Sequence, residues 1–280
     1  MLGAALAAGF VAPAMAQAKA KPPAPPAAAK DAAAKSKVKP GPVGPLAAAL
    51  VGGDVDAAAK AAASLGDDPT PAAHEALLDA LSTGLAPKAA APALESLAKH
   101  PAPADVAVLL VYAGHRDDDV RAAAVAALGA YPDPLAKKAG VAALGDDTEK
   151  VRAAAASAVA KGKWREGVDR LMALLDKGDA AAPPALAALA DADLAHSIAE
   201  HLGNAPAATL AVTLGMILKR ADFPEPAKLE VVRAIAKIPG AEATGALTDY
   251  LEATPEKPPR KSRAEAEKIV EARLAGGGAQ

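Results

Sequence analysis

The 280-residue sequence contains no cysteine, which excludes disulfide bonds and thiolate metal sites and leaves the redox compartment open. Aromatic residues make up only 2% of the chain, although the hydrophobic fraction is 52%. A sandwich or barrel needs β-branched and aromatic residues, so this alanine-rich composition favours many short, closely packed helices. The 31 basic and 33 acidic residues nearly cancel, so the chain as a whole gives no electrostatic case for nucleic-acid binding.

One pattern occurs twice between Asp117 and Lys163, and the second copy begins 31 positions after the first. Both copies place apolar residues at i, i+3, i+4, i+7 and i+8, which is one face of a helix. A helical period of roughly 20 to 50 residues indicates a solenoid. The two stripes are Val120, Ala123, Ala124, Ala127, Leu128 and Val151, Ala154, Ala155, Ala158, Val159.

Fifteen helical segments with short breaks are predicted between Leu46 and Leu274. Four breaks contain a Gly-Asp pair, in which Gly suits the end of one helix and Asp the N-cap of the next. Short connections favour antiparallel neighbours, and a lone hairpin buries too little to fold, so the hairpins must stack. We therefore predict an all-α fold, a right-handed α-solenoid of about seven antiparallel helical hairpins. The Gly-Asp pairs are Gly53-Asp54, Gly66-Asp67, Gly145-Asp146 and Gly178-Asp179.

Residues 1–16 have the pattern of a secretory signal peptide, with an apolar run followed by Ala14-Met15-Ala16 before Gln17. No Lys or Arg precedes the run, so an uncleaved anchor or a plain apolar tail stays an alternative. Export would place the chain in the bacterial cell envelope, as a periplasmic or secreted protein. The oligomeric state does not follow from the sequence.

Residues 17–44 are predicted to be a disordered linker rich in Ala, Pro and Lys, in which six lysines face the single acid Asp31. It is read as a solvated tether; the alternative is a weak contact of its lysines with an anionic envelope surface. The repeat domain is predicted at 45–274, and a flexible tail at 275–280. A polar helix at the end of the repeat domain would close the stack in water.

The pattern from Asp117 through Val120-Arg121 to Leu128-Gly129 resembles HEAT-like repeats, especially the short type of phycobilisome-type lyases, within the armadillo-like solenoids. Asp146 through Val159 is the second good match, and Leu229 through Ala234 a weaker third. The resemblance implies a ladder between repeats, in which an Asp of the turn pairs with an Arg of the second helix. It implies the pair Asp146 and Arg152, and an acid for Arg121 among Asp117 to Asp119. The predicted ladder residues are Asp119, Arg121, Asp146, Arg152 and Arg233.

The sequence holds no catalytic constellation, so no catalytic residue, no metal site and no cofactor is predicted. HEAT-like hydroxylases bind iron through several His-Glu pairs. This sequence has one such pair, His74-Glu75, and one in reverse order, Glu200-His201, which are too few ligands for a metal centre. Asp117-Asp118-Asp119 is interpreted as a helix cap rather than a calcium site. Trp164 is a candidate partner contact, although packing between repeats is the commoner role of such a residue.

We therefore expect a non-catalytic protein–protein interaction scaffold that binds an unidentified protein through the concave face of the solenoid. One alternative is an enzyme, a HEAT-like lyase or metal-dependent hydroxylase, which would need a pocket with convergent polar groups. A second alternative is a nucleic-acid-binding solenoid, which would need a continuous basic stripe on the concave face. No nucleic-acid partner is expected.

Overall fold

The structure, a computed structural model, describes residues 43–277 and the side chains of residues 43–275. The predicted signal peptide, and the linker as far as residue 42, lie outside the described residues. The first helix begins at Val43, within the range predicted for the linker. The last continues to Gly277, within the range predicted for the flexible tail.

The all-α prediction is confirmed, because residues 43–277 form fifteen helices and no strand. A short 3₁₀ turn, Arg165–Gly167, precedes the ninth helix. The helices are α1 Val43–Leu50, α2 Val55–Asp67, α3 Pro71–Thr83, α4 Pro87–Leu97, α5 Asp105–Tyr112, α6 Asp118–Leu128, α7 Pro134–Ala143, α8 Glu149–Gly162, α9 Val168–Asp176, α10 Ala182–Leu189, α11 Ala192–Glu200, α12 Ala207–Lys219, α13 Glu225–Lys237, α14 Ala241–Ala253 and α15 Lys261–Gly277.

Consecutive helices form seven hairpins, and α15 packs on both helices of the last one. The even-numbered helices α2 to α14 stack directly on one another, and their contacts are more extensive than those between successive odd-numbered helices from α1 to α13. Closer packing on one side curves the stack toward that side. The even-numbered helices are therefore the inner layer of the solenoid, and the odd-numbered helices are its outer layer.

Small residues allow the inner helices to approach closely. A Cβ atom added to Gly129, at the end of α6, would lie 2.7 Å from the Cα atom of Ala158 in α8. The same addition to Gly66 would lie 2.4 Å from the Cβ atom of Ser96. The core is correspondingly built of alanine and leucine, which are fully buried along the α6 stripe at Ala124 and Leu128. Packing at this density leaves little tolerance for an extra methyl group.

The Gly-Asp pairs do not all act as predicted. Asp54 caps α2, because its side chain accepts hydrogen bonds from the N–H groups of Asp56 and Ala57. Gly66, by contrast, lies inside α2, where its small size serves the contact with α4. Gly178 has the left-handed φ of 74° that the prediction requires. The glycine of a Gly-Asp pair can therefore serve either of two purposes: it allows a left-handed backbone conformation, or it allows two helices to approach closely.

The short helix α10 receives its C-terminal hydrogen bonds from other repeats. The last carbonyl groups of a helix have no partner within it, and cations are favoured near them. In α10 and the residue after it, four carbonyl oxygens accept hydrogen bonds from basic side chains of the turn between α8 and α9 and of the loop after α12. These bonds join Lys163 to Ala188 (3.1 Å), Arg165 to Leu189 (3.3 Å), and Arg220 to Ala187 (2.8 Å) and Ala190 (2.6 Å).

Candidate functional site

The arginine of α6 connects the third hairpin to the fourth. Arg121 donates from Nε and Nη2 to the two carboxylate oxygens of Asp146, each at 3.1 Å, and its Nη2 also reaches Thr148 Oγ1. Its Nη1 donates to the carbonyl oxygens of His115 and Arg116, in the turn before its own helix. A bidentate, charge-assisted pair of this kind fixes both direction and distance between two repeats.

The arginine of α8 repeats this arrangement one hairpin further along the chain. Arg152 Nε donates to Asp179 Oδ2 at 2.6 Å, and its Nη1 donates to the carbonyl oxygens of Asp146 and Asp147. The ladder thus joins each arginine to the aspartate of the following turn. This corrects the expected pairing, since the carboxylate partner of Arg152 is Asp179 rather than Asp146.

The carboxylate partner of Arg121 is likewise Asp146 and not one of Asp117 to Asp119. The physical reason is that the turn before each helix offers the arginine its carbonyl oxygens, while the carboxylate comes from the next hairpin. Spacing within one repeat cannot distinguish these two kinds of acceptor. The predicted ladder residue Asp119 instead forms an ion pair with Lys150 of α8, and Arg233 lies 3.8 Å from Glu265 with its side chain 60% exposed.

Hydrogen bonding sets the charge state of the Arg121–Asp146 pair. Burial raises the pKa of the Asp146 carboxyl, but the hydrogen bonds from Arg121 and Thr148 outweigh burial, so its pKa lies below the usual value. The bond to Asp146 in turn raises the pKa of Arg121. Asp146 therefore carries its charge down to lower pH in the folded chain than in the unfolded chain.

Trp164 is not available as a partner contact, because it is only 4% exposed. Its indole ring lies in space left by two glycines: a Cβ added to Gly140 or Gly162 would lie 2.3 Å from ring atoms of Trp164. The residue therefore packs the junction of α7, α8 and the turn before α9. This was the alternative role that the sequence left open for it.

A buried polar cluster that sequence reasoning missed joins the second hairpin to the third and to the turn after α6. Asp105 is fully buried, and its carboxylate accepts from Tyr131 Oη and the N–H of Ala102, each at 2.8 Å. His74 Nε2 lies 2.8 Å from the other oxygen of Asp105. Burial, with the bond to Asp105, raises the pKa of the Tyr131 hydroxyl well above its usual value. His74 and Tyr131 lie in different repeats, 31 and 26 residues from Asp105, so no local pattern indicates the cluster.

The two His-Glu pairs are not brought together. His74 contacts Asp105, whereas His201 Nδ1 lies 2.6 Å from Asp176 Oδ1, several hairpins away. Between residues 43 and 275, only the Asp117-Asp118-Asp119 cluster brings three potential ligand groups within metal-binding distance. Asp117 uses its carboxylate to accept the N–H groups of Asp119 and Val120, which is the predicted helix cap.

The inner face of the solenoid carries a groove that crosses α4, α6 and α8, with a volume of about 480 Å³. Its floor is alanine, and its charged lining residues lie on all three helices. The lining consists of Pro87, Lys88, Ala91 and Glu95 from α4, Asp117, Asp119, Ala122, Ala123 and Ala126 from α6 and the turn before it, and Lys150 and Ala154 from α8.

Further along the inner layer, α12 exposes two large apolar side chains. Val212 is 42% exposed and Met216 is 37% exposed. Contacts with α10, α14 and the outer layer cover the other sides of α12, so the exposed stripe faces the inner surface. The sequence indicates that Val212 and Met216 are exposed apolar residues, because they lie outside the buried stripe of Leu210, Leu214 and Leu218. None of the described helices has the length and apolar character needed to cross a membrane.

The comparisons with known proteins agree with the helical repeats. Residues 75–160 match the family of HEAT repeats. Residues 75–160 thus contain HEAT repeats. A comparison of the sequence with curated proteins finds no match.

Several solved structures of low sequence identity are similar to this chain. The complex of CpcE and CpcF of phycocyanin lyase from Nostoc sp. has 19% identity and a TM-score of 0.47, over 87% of this chain and 98% of that one. Human deoxyhypusine hydroxylase has 19% identity and a TM-score of 0.39, over 83% and 96%. The karyopherin Kap121p, bound to the extreme C-terminus of the phosphatase Cdc14p, has 12% identity and a TM-score of 0.46, over 80% and 28%. A HEAT fold by itself does not establish whether a protein is an enzyme.

Proposed function

We propose that the chain is a non-catalytic scaffold that binds an apolar segment of a partner protein on the inner face of its HEAT solenoid. The observation that carries this proposal is the exposure of Val212 and Met216 on α12. They lie one helical turn apart, on the layer where such solenoids have their concave surface. Exposed apolar side chains grouped on a concave surface are typical of recognition sites.

The charges around these residues favour an apolar partner. The neighbouring helix α10 contains no charged residue, and its Pro184 is exposed. The acids at its two ends are already engaged, Asp179 by Arg152 and Asp191 by Arg165. A charged partner segment would lose its hydration here without compensation, whereas an apolar segment would remove Val212 and Met216 from water.

Acids interrupt the row of lysines on the inner face of the described residues. Three of its lysines form ion pairs with acids of adjacent inner helices, Lys99 with Asp67, Lys150 with Asp119 and Lys219 with Asp249. Pairs of this kind neutralise the cations that a phosphate backbone would need. This arrangement supports a protein partner over a nucleic acid.

The experiment that tests the proposal compares proteins captured by the full chain and by two variants. Val212→Asp/Met216→Asp places two charges on the inner face, and Val111→Asp places a charge at a residue of the outer layer that is 75% exposed. We expect proteins retained from an envelope extract by the unchanged chain and by Val111→Asp to be lost with the double variant. Equal retention by all three, with unchanged helical circular dichroism, would contradict inner-face binding.

We further propose that this binding takes place in the cell envelope. The support is the apolar run of residues 1–11 and the small residues Ala14 and Ala16 before Gln17. N-terminal sequencing of the chain from a periplasmic or secreted fraction should then begin at Gln17. A cytoplasmic chain that still begins at Met1 would contradict export.

A further inference from the structure

Glu95 is an acid of the groove lining, and the nearby Lys99, four residues further along the chain, pairs with Asp67. Glu95 itself is exposed on α4 and has no ion-pair partner among the side chains of residues 43–275. Successive steps of 31 residues, the spacing that also relates Asp119 to Lys150, lead from Glu95 to Ala126 and Ser157. The equivalent positions of the next two hairpins are therefore small and uncharged.

The other charges of the groove lie along one edge. Lys88, Asp119 and Lys150 each occupy the second position of their helices, which run in the same direction, so they line up at the N-terminal ends. Asp119 and Lys150 form an ion pair, and Asp117 lies beside them as the cap of α6. Cations and acids alternate at this edge, whereas Glu95 stands two turns further along α4 with only alanine across the groove.

The repeat region as a whole also favours a basic partner. Six of the 31 basic residues and one of the 33 acidic residues precede Val43, so residues 43–280 hold 25 basic and 32 acidic residues. An excess of acids raises the rate of encounter with a cationic partner. An unpaired acid on the binding surface then fixes the orientation of that partner.

From these observations we infer that the partner segment carries one lysine or arginine that pairs with Glu95, followed by an uncharged stretch that runs over the alanine floor to Val212 and Met216. This inference rests on the proposed function and specifies the chemistry of its partner. The side chain at Glu95 sets the direction and register of the segment, and the apolar contacts at α12 supply most of the buried area.

The length of the segment follows from helix spacing. A chain that reaches from α4 to α12 crosses four helix-to-helix steps of about 9 Å each, or about 36 Å. An extended chain covers this distance with about eleven residues. The basic residue and the apolar end of the segment should therefore lie about eleven residues apart.

The test selects displayed random 15-residue peptides against the full chain. We expect selected peptides to share a lysine or arginine near one end and an uncharged, apolar opposite end. Glu95→Lys should weaken their binding about tenfold or more, and Glu95→Gln should weaken it less. Selection against Glu95→Lys should return peptides with an acid at the same position. Glu75→Lys is the matched control, because Glu75 is exposed on the outer helix α3, and it should leave binding unchanged.

The outcomes separate the two proposals. Peptides that lose binding with Val212→Asp/Met216→Asp but show no basic preference, or that bind Glu95→Lys and Glu75→Lys equally, would overturn the role of Glu95 and leave inner-face binding in place. A selection that returns no peptide sensitive to the double variant would overturn inner-face binding and, with it, this inference.

Discussion

Gly129 lies against Ala158 so closely that a Cβ atom on the glycine would be 2.7 Å from the Cα atom of the alanine and 3.0 Å from its carbonyl oxygen. The neighbouring atoms belong to the backbone of α8, which cannot move aside as a flexible side chain can. The close spacing of α6 and α8 therefore requires that residue 129 has no side chain.

We predict that Gly129→Ala destabilises the chain by about 1–3 kcal/mol, the usual cost of overpacking. Its φ of −62° suits alanine, so the backbone conformation adds no penalty. Gly245→Ala is the matched control, because nothing lies within 4 Å of a Cβ there, and the helix interior should gain roughly 0.5–1 kcal/mol. Urea denaturation followed by circular dichroism measures both. Equal midpoints for the two variants would show that α6 and α8 are not in this contact.

Arg152→Ala should cost on the order of 1–3 kcal/mol, since it breaks a bond to Asp179 and two bonds to backbone carbonyls in a partly buried place. Arg233→Ala provides the comparison, because its ion pair is longer and well exposed, and such pairs contribute at most about 1 kcal/mol. Thermal and urea unfolding of both variants test this. A loss at Arg152 no greater than that at Arg233 would count against the ladder.

Acidification should remove the contribution of Asp146. Its pKa is lower in the folded chain than in the unfolded chain, so the contribution is complete above the unfolded value and falls as pH decreases through the folded value. We therefore expect the difference in stability between the unchanged chain and Asp146→Asn to be largest above about pH 5 and to shrink below about pH 4. Urea midpoints at pH 7, 5 and 3.5 measure it; a constant difference would exclude this origin.

Trp164 gives a direct optical test, because it is the single tryptophan of the chain. Its burial predicts native fluorescence with a blue-shifted maximum and weak quenching by acrylamide, and both should change on unfolding. A partner bound on the inner face should leave this emission nearly unchanged, since Trp164 lies between layers. Strong quenching of the native chain would mean that the indole is exposed and would reopen its role in binding.

The stack of helices could be predicted from the sequence because the apolar stripe is repeated at a fixed period, and Val120, Ala124 and Leu128 are buried as the stripe requires. The inner face could not be predicted in the same way. Alanine forms both the core, as at Ala124, and the groove floor, as at Ala154, so composition does not distinguish buried from exposed positions. The site also includes Glu95, and only the three-dimensional structure shows that this acid forms no ion pair within the described residues.

The ladder was predicted in kind but not in pairing. Its arginines stand where the repeat pattern places them, but the distance from Arg152 to Asp179 depends on how one hairpin is placed on the next. The cluster around Asp105 shows the same limit, because His74 comes from another hairpin and Tyr131 from the turn after α6. Contacts between repeats are set by the geometry of stacking, which a period along the chain does not contain.

Helix α10 depends on its neighbours in a way that restricts how this array can be rearranged. Its terminal carbonyl groups accept hydrogen bonds from Lys163 and Arg165 on one side and from Arg220 on the other. If this hairpin were duplicated or transplanted by itself, the copied α10 would lack the basic side chains that cap its carbonyl groups. Gene rearrangements that alter the number of repeats should therefore be tolerated elsewhere in the array before they are tolerated here.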